Sequence, residues 1–379
     1  MKRICHMTSV HKSDDTRIFH KECVSLAKEG YEVYLVTPGE SREDQGVHVI
    51  GVGDKPISRL RRMTETAKKV YLAALALNCD IYHLHDPELL PYALRLKRRK
   101  KVVIFDSHEN ILDYISEKRW IPSVVRRPIH LLATWYIRRT LPRLDALISV
   151  TPHLHEKLCS LNRRTYMVTN YPEINIQTPA VNERYLPGSP FLLIFAGGVT
   201  SQWNHEAIVK SIQNIQDVKY KVYGKASEEY IQQLKSIDNA GNMEYLGILP
   251  HGKVSQALTE ASVGMALCQY SKNTEGKLGS IGNTKLFEYM MAGLPVVCTN
   301  FDLWRNIVDK YQCGICVDPD NSVSIEQAII WLRDHPTEAR EMGFHGRRAV
   351  EEEFNWESQA QTLLWLYKSL AVNNQSYSG

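Results

Sequence analysis

Apolar runs too short for helices recur along the chain, and between them apolar residues fall three and four positions apart. In the first half the runs are Arg3–Met7, Tyr31–Thr37, Val47–Val52, Ile81–Leu84, Lys101–Phe105, Ala146–Val150 and Tyr166–Val168. These predict strands. Ile18, Phe19, Cys23, Leu26 and Ala27 predict a helix that Gly30 closes, and Leu60–Leu77 and Ile129–Leu141 show the same helical spacing. After residue 190 the alternation restarts, with strands predicted at Phe191–Phe195, Lys219–Tyr223, Met243–Tyr245, Val263–Ala266, Pro295–Thr299 and Gly314–Val317. Continuous apolar strands separated by helices predict parallel sheets covered on both faces. Between the two series, Asn170–Pro190 holds Pro172, Pro179, Pro187 and Pro190 with little apolar periodicity, the mark of a linker. Near the end, Leu363, Leu366 and Leu370 are spaced as a helix.

The pattern predicts an α/β chain of two Rossmann-like parallel-sheet domains facing a central cleft. The first domain spans residues 1–170, a linker 171–190 and the second domain 191–355. Residues 356–379 form a C-terminal helix, crossing back to the first domain, and a tail. A length of 379 residues exceeds what one core usually organises, which agrees with two domains. In open α/β sheets ligands bind beyond the carboxyl ends of the strands.

Composition changes this picture in two ways. Eight cysteines scattered through apolar runs, no transmembrane-length apolar window and no signal-peptide core predict a cytoplasmic protein. The net charge of +4 is unevenly placed. Residues 1–180 carry 29 Lys and Arg against 20 Asp and Glu, whereas the remainder carries 17 against 22. The excess lies in Lys55–Lys69, Arg95–Lys101 and Lys118–Arg143. The last of these mixes Trp120, Ile129, Leu131, Leu132 and Trp135 with arginines. That composition suits either a helix on an anionic membrane, peripheral at its inner face, or an amphipathic helix with a solvated basic face. The acidic second half and the lack of a recognition motif argue against nucleic acid.

Gly279–Val297, GSIGNTKLFEYMMAGLPVV, is the segment richest in chemistry. A Gly/Ser/Asn loop leads into a helix that Asn283 or Thr284 is placed to cap. Free N–H groups there favour a diphosphate. Lys285 adds charge to such a site, and Glu288, one turn on, suits a ribose diol. An ordinary αβ unit with a surface Lys and Glu accounts for the same residues. Gly197-Gly198 ends the first strand of the second half, either as a close approach to a ligand or as a simple turn. In His83-Leu84-His85 alternation puts both histidines on one strand face; core packing is the preferred account, because zinc wants three converging ligands. Cys313 and Cys316 lack a second pair and read as core, and Asp318-Pro319-Asp320 reads as a turn.

KLFEYMMAGLPVV resembles the donor segment of retaining GT-B glycosyltransferases, specifically glycosyltransferase family 4. Residues 17–36, 82–90, 104–109, 221–224, 245–248 and 343–367 extend the resemblance over nearly the whole chain. It implies metal-independent transfer, without a cofactor, from a UDP- or GDP-linked sugar to a hydroxyl of a glycan acceptor, with retention of configuration. Many relatives build surface polysaccharide on polyprenyl-diphosphate lipid, an acceptor that fits a basic first domain. By position, Glu288 matches the second acid of the family's E-x7-E motif, and the first acid is replaced by Ser280. Where relatives carry an Arg and a Lys for the diphosphate, this chain has Gly198 and Trp203. The resemblance therefore assigns His108 and Glu288 as catalytic residues. It assigns Gly197, Gly198, Lys277, Ser280, Gly282, Asn283, Lys285 and Glu288 to the donor, and His11, Asp15 and Arg17 to the acceptor. Asp14 and Asp15 are equally placed to cap the following helix. Two other accounts stay open: a nucleotide-sugar 2-epimerase on the same fold, and a non-catalytic sugar-nucleotide or glycan-binding relative.

Overall fold

A computed structural model describes residues 2–56, 58, 61–108, 123–174, 190–271 and 274–373. Contacts divide the chain into two compact units, Met1–Asn170 with Glu357–Gly379, and Tyr171–Trp356. Most of Asn170–Pro190, and Lys118–Ile121 with their neighbours, lie outside the described residues.

The sheet of unit 1 contains β1 (Arg3–Met7), β2 (Glu32–Thr37), β3 (Arg42–Asp44), β4 (Val47–Gly51), β5 (Ile81–Leu84), β6 (Val102–Ser107), β7 (Ala146–Ser149) and β8 (Thr165–Met167). Their order is β3-β4-β2-β1-β5-β6-β7-β8, parallel except for the β3–β4 pair. The apolar runs account for every strand but β3. That strand is polar, and Gln45 and Gly46, both at positive φ, turn it back onto β4. Its pairing comes from the turn and the backbone ladder, so no apolar signal marks it.

Unit 2 holds β9 (Phe191–Ala196), β10 (Val218–Tyr223), β11 (Met243–Gly247), β12 (Val263–Ala266), β13 (Val296–Thr299) and β14 (Gly314–Val317). All pairs are parallel, in the order β11-β10-β9-β12-β13-β14. The chain reverses its direction of winding between β9 and β12, which makes the end of β9 a topological switch point. Two cores flank this sheet. One gathers Leu193, Phe195, Ile208, Tyr220 and Ile329, and the other Ile194, Phe287, Tyr289, Trp304 and Phe354.

The C-terminal helix Trp356–Asn373 belongs with unit 1. Leu363, Leu366 and Tyr367 are buried, and Gln359 accepts the N–H of Thr169 at 2.9 Å.

Candidate functional site

In unit 2, Gly197, Lys285 and Glu288, three of the residues expected at the donor, meet at the end of β9. The helix Lys285–Met291 is seven residues long. Thr284 precedes it in helical conformation and makes no side-chain cap, which corrects the expectation that Asn283 or Thr284 caps it. Its hydroxyl instead donates to Glu288 Oε1 at 2.6 Å, while Lys285 Nζ donates to Glu288 Oε2 at 2.7 Å. The carboxylate is thus held by two neighbours of its own first turn and remains one-third exposed.

Lys285 reaches this position by lying across Gly197. A Cβ on Gly197 would stand 2.5 Å from Lys285 Cε. Gly224, at φ +139°, packs its Cα against the Gly197 carbonyl, so the loops after β9 and β10 close on each other without side chains. Gly198 has open space where a side chain would stand. A place left by two glycines and bordered by a lysine suits a polar group that needs backbone donors at close range.

The other donor candidates differ in their state. Ser280 lends its carbonyl to Trp304 Nε1 at 3.0 Å and its hydroxyl to the N–H of Gly282 at 3.2 Å. Gly279, at φ +81°, lies against the Phe301 ring. Asn283 Nδ2 lies 3.8 Å from Cys268 Sγ. Lys277 is exposed, its ammonium 6.0 Å from the centre of the Tyr270 ring. Trp203 packs on Phe195, with ring centres 5.2 Å apart, so it serves the core.

In unit 1 the loop after β1 gathers His11 and Asp15. Asp15 accepts the N–H groups of Arg17 and Ile18 at 3.0 and 2.9 Å, capping the segment Thr16–Cys23, and meets His11 Nδ1 at 3.1 Å. Burial works against the Asp15 charge, but His11 and the Ile18 N–H outweigh it and hold the carboxyl at about 2. Burial opposes the His11 charge as well, yet the Asp15 hydrogen bond and the field of Asp86 raise its pKa.

Arg17, expected with them at the acceptor, turns inward instead. It is 5% exposed and donates to Asp106 Oδ2 from Nη2 at 2.8 Å and to the Val168 carbonyl from Nη1 at 2.9 Å. Its Nε also lies 3.0 Å from Glu22 Oε1, off the line of the N–H. A buried guanidinium that turns Nε, Nη1 and Nη2 onto Asp106 and the Val168 carbonyl points away from an acceptor, so Arg17 supports the site from below.

His108 follows β6 and is partly exposed, its ring 5.2 Å from that of His11. Beneath it lies a polar interior that pattern reading divided into separate residues. The register of β1 on β5 sets His6 beside His83, and alternation adds His85 on the same face. Glu22 and Asp106 face these rings, and Tyr367 covers them. Burial pushes His6 and His85 well below the ordinary histidine value and His83 to about 3. Burial raises the Glu22 carboxyl, Arg17 opposing it. The Asp106 carboxyl is held low because Arg17 and His108 overcome its burial. His6, Glu22, His83 and His85 offer ligand atoms within 4.8 Å of one another, as do His85, Asp106 and His108. His6, Glu22, Asp106 and Tyr367 were not singled out from sequence. For His6 a signal existed, since it occupies on the neighbouring strand the phase of His83. Tyr367, 284 residues from His83, carried none.

Cys313 is buried, and Cys298 and Cys316 face each other across β13 and β14 at 3.7 Å, all of them free thiols. Asp318 accepts the N–H of Asp320 at 3.0 Å in a turn.

Comparison with known proteins bears on the family and the fold. Residues 17–170 match the family described as Glycosyltransferase Family 4, and residues 180–349 that described as Glycosyl transferases group 1. A phosphatidyl-myo-inositol mannosyltransferase of Mycobacterium leprae is 25% identical over 168 residues, 44% of this chain and 42% of that protein. The alignment therefore spans less than half of that relative. Among solved structures, a sucrose-phosphate synthase (tll1590) from Thermosynechococcus elongatus superposes with a TM-score of 0.77 at 17% identity, covering 98% of this chain and all of that one. Anabaena Alr3699/HepE in complex with UDP and glucose gives 0.71 at 12%, covering 97% and 100%. With both halves matched in order and the two parallel sheets of the GT-B fold in place, the chain belongs to glycosyltransferase family 4.

Proposed function

We propose that this protein transfers a sugar from a UDP- or GDP-linked donor to a hydroxyl of a glycan acceptor with retention of configuration. The observation that carries the reading is Glu288, held by Thr284 and Lys285 beside the bare backbone of Gly197. On this reading Glu288 accepts the ribose hydroxyls. Lys285, Lys277 and the amides around Gly197, Gly198, Gly282 and Asn283 hold the diphosphate, and Ser280 meets the sugar. Positive charge and backbone donors aimed at the leaving phosphate stabilise the charge that develops as the glycosidic bond breaks. They do so without a metal. Unit 1 contributes His108 to the transferred sugar, and His11 with Asp15 to the acceptor.

The acceptor is proposed to be lipid-linked, in the synthesis of a surface polysaccharide, with the protein cytoplasmic and peripheral at the inner face of the membrane. The helix Ser123–Thr140 supports this. Leu131, Leu132 and Trp135 are 62%, 65% and 58% exposed, with Arg138 and Arg139 exposed beside them. A solvated basic face has no use for three large apolar side chains, whereas an anionic bilayer takes up both kinds.

A thermal-shift screen against UDP, GDP and their sugar conjugates tests the donor assignment, since a specific ligand raises the melting temperature by mass action. Glu288→Ala is expected to abolish the shift given by the best ligand. A variant that still turns over donor at the wild-type rate would remove Glu288 from the site. Ser280, Gly198 and Trp203, standing where relatives carry charged groups, favour a second reading as a non-catalytic binding protein. Slow hydrolysis of bound donor separates the two, because a transferase leaks and a binding module does not.

A further inference from the structure

The rings beneath His108 form one unbroken hydrogen-bonded path. His83 Nδ1 lies 2.7 Å from Tyr367 Oη, which lies 3.2 Å from His6 Nε2. His6 Nδ1 lies 2.9 Å from His85 Nε2, and His85 Nδ1 lies 3.2 Å from His108 Nε2. A neutral imidazole has one N–H and one lone pair, and a hydroxyl between two ring nitrogens donates to one and accepts from the other. Burial keeps His6, His83 and His85 neutral. Such a path has only two complete settings. In the outward one each group donates toward His108, which then receives a proton bond at Nε2 and carries its own hydrogen on Nδ1. In the inward one His108 Nε2–H donates to His85, His85 to His6, His6 to Tyr367 and Tyr367 to His83, whose hydrogen is then on Nε2.

Asp106 selects between them. Its Oδ2 lies 3.4 Å from His108 Nε2 at one end of the path and 4.0 Å from His83 Nε2 at the other. The inward setting turns an N–H toward the carboxylate at both ends. The outward one turns a lone pair toward it at both ends and an N–H only from His85 Nδ1, at 3.7 Å. His83 Nε2 has no other hydrogen-bond partner among the described residues. The remaining charges do not reverse the choice. Arg17 is paired with Asp106 and also lies 3.0 Å from Glu22, and burial disfavours the charge of that carboxyl, 3.8 to 3.9 Å from His6, His83 and His85. Nor does the path read as an empty metal cage, because 2.9 Å between His6 Nδ1 and His85 Nε2 is the length of a shared proton.

We propose that Tyr367, His6 and His85 are positioning residues that hold His108 as its Nε2–H tautomer, leaving Nδ1 as a lone pair that accepts a hydrogen bond from a hydroxyl of the transferred sugar. The sugar contact rests on the proposed glycosyltransferase reading, and the tautomer does not. The C-terminal helix, through one phenol, thus sets whether His108 accepts or donates at Nδ1.

Nitrogen NMR of the full-length protein labelled with 15N-histidine reads the tautomer directly. The expected spectrum has His108 protonated at Nε2 and bare at Nδ1, and a protonated Nδ1 overturns the relay. Tyr367→Phe keeps the ring and removes the link. It is expected to lower kcat about tenfold, the worth of about one net hydrogen bond, with donor KM little changed and His108 split between tautomers. An unchanged kcat together with an unchanged spectrum counts against the proposal. An asparagine amide oxygen stands near the place of Nδ1 and a glutamine amide near that of Nε2, so His108→Asn should keep about tenfold more kcat than His108→Gln. Equal loss in both would refute the acceptor role. One equivalent of zinc or iron in the purified protein would also overturn the relay, since coordinated nitrogens cannot make these bonds. His108→Ala with wild-type transfer would remove His108 from the reaction while the spectrum still reports on the relay, so the two failures are distinct.

Discussion

Gly197 and Gly224 look alike in sequence and differ in what a methyl group would meet. At Gly197 the obstacle is the far end of Lys285, a flexible chain, so Gly197→Ala should fold. The cost falls on the Lys285–Glu288 pair, and calorimetric titration should show weaker nucleotide binding at a nearly unchanged melting temperature. At Gly224 the obstacle is the Gly197 carbonyl, and φ of +139° adds backbone strain. Gly224→Ala is expected to destabilise unit 2 by about 1–3 kcal/mol in urea unfolding. His11 and Asp15 allow a test by pH. The Asp15 pKa is lowered, so its contribution is present above its unfolded value of 3.8 and is lost as pH falls toward about 2. The His11 pKa is raised, so its contribution is complete below 6.5 and fades as pH rises through the higher folded value. A double-mutant cycle with His11→Ala and Asp15→Asn should give its largest coupling between these limits, near pH 5, and a smaller one at pH 9. Glu288 and Lys285, singled out in one contiguous segment, stand together in the structure. Arg17 was misplaced because only the fold shows that its side chain points inward.

Among the elements, the helix Ser123–Thr140 packs Ile137 and Leu141 beyond it into the core of unit 1 and leaves Leu131, Leu132 and Trp135 outside. Replacing these three by serine removes no core contact. Co-sedimentation with anionic vesicles is expected to fall while the melting temperature holds. Binding unaltered by the triple change would remove the membrane role of this helix. The helix Pro336–Glu352 is placed by Gly343, whose Cα rests on the Gly293 carbonyl just after the Lys285–Met291 helix. Gly343→Ala must push two elements apart, and a loss of about 1–3 kcal/mol in unit 2 follows. The strand period made every strand but one visible in advance, while only some of the helices were named. The short polar β3 escaped because its pairing depends on the turn at Gln45 and Gly46 and not on burial.

For the molecule as a whole, the buried histidines set the response to acid. His83 and His205 are held at about 3 by burial, so they stay neutral in the folded state while the unfolded chain takes up protons below 6.5. A base with a depressed folded pKa contributes stability above its unfolded value and loses it as pH falls, by up to about 1.4 kcal/mol per pH unit for each histidine. Glu22, raised by burial, acts in the opposite sense and offsets part of this. Urea unfolding at pH 7, 6 and 5 should therefore show falling stability. His205→Phe, which removes the histidine of unit 2 bonded to Tyr220, should flatten that slope. No helix among the described residues is long and apolar enough to cross a membrane. The alternation of apolar strands with helices determined the α/β class and two parallel sheets by itself, because burial on both faces writes a continuous local signal into each strand. The motif around Glu288 pointed to the family for a similar reason, being contiguous in the chain. What only the tertiary structure decided is the assembly that no local signal encodes. His6 and His83 come together through strand register, Glu22 and Asp106 through burial beneath the sheet end, and Tyr367 through the return of the last helix to unit 1. Their chemistry arises from removing these groups jointly from water, and the one-dimensional order of the residues does not contain that event.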